Sequence, residues 1–186
     1  GFTMANLSAG TGGATSASEV ARPVIHLVTS QTADLTAESS NYYWHLENIH
    51  IVGGTVPLAA LYLEGASMGR VRDCTFAGCV RGIAIGGSLD NFPNDLEFDN
   101  IRFYNNVTAD IASVSSNAVN GHPTLLNAAT LGSIEAVLFD HCKFMDVGGT
   151  PVTDYVNLEI TTALNVIFSD ARFARDVADG TLMQLG

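Results

Sequence analysis

One six-residue phrase recurs five times along the chain, and a repeat of that kind restricts the fold to architectures built by stacking similar units. The copies are Leu46-Glu47-Asn48-Ile49-His50-Ile51, Val71-Arg72-Asp73-Cys74-Thr75-Phe76, Phe98-Asp99-Asn100-Ile101-Arg102-Phe103, Phe139-Asp140-His141-Cys142-Lys143-Phe144 and Phe168-Ser169-Asp170-Ala171-Arg172-Phe173. Positions one, four and six are apolar in every copy, and position three is Asn, Asp or His. Two residues upstream, Trp44, Leu96, Val137 and Val166 extend the apolar set, with Gly69 as the one gap. Apolar residues with period two are a strand signature. The step of three from position one to position four requires a bend, which Asn and Asp supply because they tolerate the left-handed conformation and bond to nearby backbone.

The first positions, 46, 71, 98, 139 and 168, are separated by 25, 27, 41 and 29 residues. Each phrase is followed by a Gly- or Pro-bearing turn and a further short apolar strand: Leu61 and Leu63, Ile83 and Ile85, Ile111, then Val156, Leu158 and Ile160. Helical repeats have similar periods, but the β-branched, Phe and Asx residues at strand spacing point to about three strands per repeat. The expected fold is therefore all-β: a right-handed parallel β-helix, a single-stranded solenoid of about six coils. Equal positions then stack at ~4.8 Å per coil, which makes Phe76, Phe103, Phe144 and Phe173 an internal aromatic column. Ile49, Cys74, Ile101, Cys142 and Ala171 form the adjoining column. It separates Cys74 from Cys142 by two coils, too far for a disulfide.

Pro23 to Val28 reads as a strand of an earlier, irregular coil. The domain layout expected is an N-terminal Gly/Ser-rich arm or cap over residues 1–21 and a β-helix over 22–186. The long repeat carries an inserted polar loop at 113–133, an excursion of the kind that often carries function.

Nineteen acidic against eight basic residues give a net charge of −11, which opposes binding to nucleic acid or anionic lipid. No apolar run approaches the ~20 residues of a membrane span. Three cysteines without CxxC spacing indicate neither a disulfide framework nor a zinc site, and read as small buried residues.

The phrase, its spacing and the Gly-flanked apolar dyad Arg81-Gly82-Ile83-Ala84-Ile85 resemble the pectate-lyase-like superfamily of right-handed β-helices. That family includes pectin-active enzymes, alginate epimerases and bacteriophage tailspikes, and the likeness, over about residues 22–186, is greatest to a tailspike or related virion protein. It implies a fold and leaves activity open.

In the family's lyases an acidic calcium cluster works with an Arg or Lys base. The best acidic group here is Asp90, Asp95, Glu97 and Asp99, and Ca²⁺ is the cation to expect near Asp90, Asp95 and Glu97. A solvated acidic surface is the plainer reading. Asp99 and Asp140 share position two of consecutive copies, so stacking brings these carboxylates close enough for glycoside hydrolysis, which needs ~5 to 9.5 Å. At position five Arg102, Lys143 and Arg172 form an outward basic column, suited to carboxylates of an acidic polysaccharide or of a neighbouring subunit. Ion pairing with Glu47, Asp99 and Asp140 is the alternative. Tyr104 and, in the excursion, His122 are further candidates for glycan or partner contact. His45, His122 and His141 look scattered, and no metal centre is expected from them.

Two function classes follow. One is a virion or cell-surface structural β-helix, such as a tailspike, tail fibre or decoration protein, which self-assembles, with a trimer as first expectation, and recognises surface polysaccharide. The other is a polysaccharide lyase, epimerase or glycoside hydrolase acting through Asp99 and Asp140. Short length, the N-terminal arm and the lack of a calcium-plus-base constellation favour the first, in a virion or extracellular setting without nucleic acid or membrane insertion.

Overall fold

A computed structural model describes residues 2–5, 23–28, 43–53, 59–64, 66–87, 93–115, 118–119, 122–123, 133–146, 156–160, 162–175 and 181–185. Every regular element among them is a β-strand. The strands form three parallel sheets, each taking one strand from each repeat. A leading sheet holds His45–Glu47, Gly69–Arg72, Asn94–Asp99, Ser133–Asp140 and Thr162–Ser169. The trailing sheet holds Phe2–Ala5, Ile49–Val52, Thr75–Ala77, Arg102–Tyr104, Lys143–Asp146 and Arg172–Arg175. A return sheet holds Ile25–Val28, Ala59–Glu64, Arg81–Gly87, Ala109–Ser115, Val156–Ile160 and Thr181–Leu185. These parallel strand stacks are consistent with a β-helix solenoid.

Register follows the phrase position by position. First positions pair in the order Leu46, Val71, Phe98, Phe139, Phe168. Sixth positions pair in the order Ile51, Phe76, Phe103, Phe144, Phe173. Each column brings like side chains together inside, so Phe98 and Phe139 stack with ring centroids 5.0 Å apart, and Phe103 and Phe144 with centroids 5.1 Å apart. Offset stacks of this kind add to what burial contributes. Cys74, Cys79 and Cys142 are free and buried, and burial pushes the Cys142 thiol up to about 12, which keeps it an unreactive apolar filler.

The bend at position three is a left-handed residue in all five copies: Asn48, Asp73, Asn100, His141 and Asp170 have φ between 47° and 57°. A second left-handed corner precedes each leading strand or falls within its first turn, at Tyr43, Met68, Asp95, Ala136 and Asn165, with φ between 50° and 59°. The gap at Gly69 also has a cause. A Cβ there would overlap the Trp44 ring, so the one bulky residue of that column occupies the space above the one glycine.

Two boundaries differ from the sequence reading. Ser113, Val114 and Ser115 pair with Ile85, Gly86 and Gly87, so the return strand continues into what reads as a polar excursion, and Ser133 already opens the next leading strand. Phe2–Ala5 pairs with Ile49–Val52 as a strand of the trailing sheet, inside the segment expected to be an arm or cap. The Gly/Ser/Thr-rich stretch 8–18 lies outside the described residues.

Candidate functional site

Positions two and three of the phrase end the leading sheet and turn the chain, so their side chains gather along one corner of the solenoid. Arg72, Asp73, Asp99, Asn100, His141, Lys143 and Asp170 line an open depression of about 330 Å³ there. Register sets Asp99 between Arg72 and Asp140 on neighbouring rungs. The Arg72 Nε lies 3.3 Å from Asp99 Oδ2 and 3.5 Å from Asp73 Oδ2, and Asn100 Nδ2 donates to Asp73 Oδ1 at 2.6 Å.

His141 stands among three carboxylates. Its Nδ1 is 3.1 Å from Asp140 Oδ1 and 3.7 Å from Asp99 Oδ1, and its Nε2 is 3.6 Å from Asp170 Oδ2. Asp140 Oδ1 has no accessible surface and no hydrogen bond of acceptable geometry, despite the nearby imidazole. One donor atom from each of Asp99, Asp140 and His141 falls within 4.8 Å of the others.

The basic column is also built as expected: Arg102 pairs in register with Lys143, and Lys143 with Arg172. The ion pairing offered as its alternative is not formed, since none of the three has an ion pair among the described residues. Asp99 is taken by Arg72 and approached by His141, and Asp140 by His141. Tyr104, half-buried, lies two residues along the same rung as Arg102. His122 lies in a separate antiparallel pair, facing Val119 in register.

The acidic group proposed for calcium is dispersed among the described residues. Glu97 is engaged by Arg70, whose Nη2 donates to Oε1 at 2.6 Å, and Asp95 is exposed at the second corner. Asp90 lies outside the described residues. His141, Arg72, Asp73, Asn100 and Asp170 are the site residues that sequence reasoning passed over. The signal was present, because columns two and three of the phrase are adjacent and carry all of them. No family model, curated protein or solved structure matches the chain.

Proposed function

We propose that the chain is a right-handed parallel β-helix of the pectate-lyase-like kind, about six coils long, that binds acidic polysaccharide on the outward face of its trailing sheet. In this reading it is the recognition module of a virion or cell-surface assembly made of several copies. The right hand follows from the general preference of parallel crossovers, ~98% of which are right-handed. Multiple copies follow from the resemblance to tailspikes. The observation that carries the reading is the ladder Arg102–Lys143–Arg172: three cations in register, without ion pairs among the described residues, in a chain of net charge −11. Unneutralised cations ~4.8 Å apart repel one another, and an anionic chain laid along them relieves that repulsion. Tyr104 offers a ring face beside the ladder, and His122 is proposed to reach the ligand from the excursion.

The test is binding of polygalacturonate and of neutral dextran to the wild type and to the triple variant Arg102→Gln, Lys143→Gln, Arg172→Gln. The wild type should prefer the acidic polymer, and the variant should lose at least about tenfold in affinity, most at low salt where screening is weakest. Equal affinity of wild type and variant would refute the ladder's role. The same assay separates a second reading, favoured by the adjacency of Asp99 and Asp140 with oxygens inside 4.8 Å, close to the ~5 to 5.5 Å of retaining glycosidases. Release of new sugar ends by the wild type, abolished by Asp99→Asn with the fold intact, would make the chain an enzyme.

A further inference from the structure

We infer that Asp99, Asp140 and His141 form a site for a first-row divalent cation, with Zn²⁺ as the best match, that ties two rungs of the solenoid together. Such a site is independent of polysaccharide binding. Its donors are one imidazole nitrogen and two carboxylate oxygens, a set that suits zinc and its neighbours better than Ca²⁺, which takes six to eight oxygens.

The geometry is close to a coordination sphere. The three donor atoms lie within 4.8 Å of one another, and a cation ~2.1 Å from each needs them no more than roughly 4.2 Å apart. Small side-chain rotations cover the difference. Two further observations point to a ligand. Asp140 Oδ1 is sealed from solvent and lacks a hydrogen bond while aimed at His141 Nδ1, which leaves a buried carboxylate oxygen unsatisfied unless something positive joins it. Asp99 Oδ1 approaches the same nitrogen, while Asp99 Oδ2 lies beside Arg72 Nε. The oxygen nearer the site is thus the one left for a metal, and the other is held in place from outside, as supporting partners hold metal-ligating carboxylates. Three protein donors leave a position for water on the side of the open depression.

Asp99 and Asp140 belong to neighbouring strands of the leading sheet, so a cation between them adds a cross-link to the pairing of Asn94–Asp99 with Ser133–Asp140. Occupancy then stabilises the fold by mass action.

The experiment is calorimetric titration of the full chain with Zn²⁺, and separately with Ca²⁺, alongside thermal melts. His141→Asn is the variant of choice, because Asn occupies the same left-handed corner at Asn48 and Asn100, so the backbone is kept while the imidazole is removed. Asp140→Asn is the second variant. The wild type should bind one Zn²⁺ and melt higher with it, whereas both variants should bind at least about tenfold more weakly and show no such rise. Undiminished Zn²⁺ binding in His141→Asn, no binding by the wild type, or Ca²⁺ bound as tightly as Zn²⁺ would each overturn the assignment.

Discussion

The two corners of each leading strand make the same left-handed turn from different residues. The corner after the strand uses Asn48, Asp73, Asn100, His141 and Asp170, mostly residues that adopt this conformation at little cost. The corner at its start uses Tyr43, Met68, Asp95, Ala136 and Asn165, of which three have no local preference for it. The first kind of corner is written into its own residues. The second is imposed by what lies on either side: inward Leu96, Val137 and Val166 must enter the core stack while the chain arrives from the return sheet. Strained conformations persist where surrounding packing over-determines them.

If packing imposes the second corner, the stack contributes most to stability, and the largest predicted effect tests it. Phe139 lies between the Ala136 and His141 corners, is fully buried, and stacks on Phe98 at 5.0 Å and on Phe168 at 5.1 Å. Phe139→Ala should cost ~3 to 5 kcal/mol, because ordered neighbours on both rungs cannot collapse into the cavity. Phe168→Ala, where the ring is only partly buried, should cost clearly less. Equal losses in urea denaturation would mean that the rungs do not act as a one-dimensional stack, and that the corners are held by something else.

The next effect separates the corners directly. Asn100→Ala removes the hydrogen bond to Asp73 and puts a less tolerant residue at φ 52°, and should cost about 1 to 2 kcal/mol. Met68→Ala at the other corner replaces one residue without left-handed preference by another, and its side chain is exposed. It should change stability by less than ~0.5 kcal/mol. Similar losses at the two positions, measured by the same denaturation, would erase the distinction between them.

The same distinction explains what could be read from the chain before its structure. Asx and His at a fixed position, flanked by apolar residues at steps of three and two, announce a turn, and all five of those corners were legible. Tyr, Met and Ala announce nothing, so the corner at Tyr43, Met68 and Ala136 was not. Ser113 to Ser115 looked like loop because alternation of Ser with Val reads as polar, yet their partners Ile85, Gly86 and Gly87 hold them in the return sheet. The Asp99–Asp140 pair and the basic ladder came from stacking equal positions. The role of His141 needed adjacency between two columns, which the order of histidines along the chain conceals.

The smallest effect is a gain. Ala136 has φ 51°, a region in which its Cβ crowds the following carbonyl oxygen at a cost of roughly 1 to 2 kcal/mol. Glycine escapes that clash but loses more backbone freedom on folding, a disadvantage of ~0.4 to 1 kcal/mol. The difference favours Ala136→Gly by about 0.5 to 1 kcal/mol, an increase in stability from deleting a methyl group. At Asn100 the same replacement should bring no gain, since Asn tolerates the conformation and its side chain bonds to Asp73. Melting curves of the two glycine variants therefore distinguish an imposed corner from a chosen one. A loss of stability in Ala136→Gly would show that Ala136 sits there for its contacts, and that the corner at the start of the leading strand is as much a product of its own residues as the corner after it.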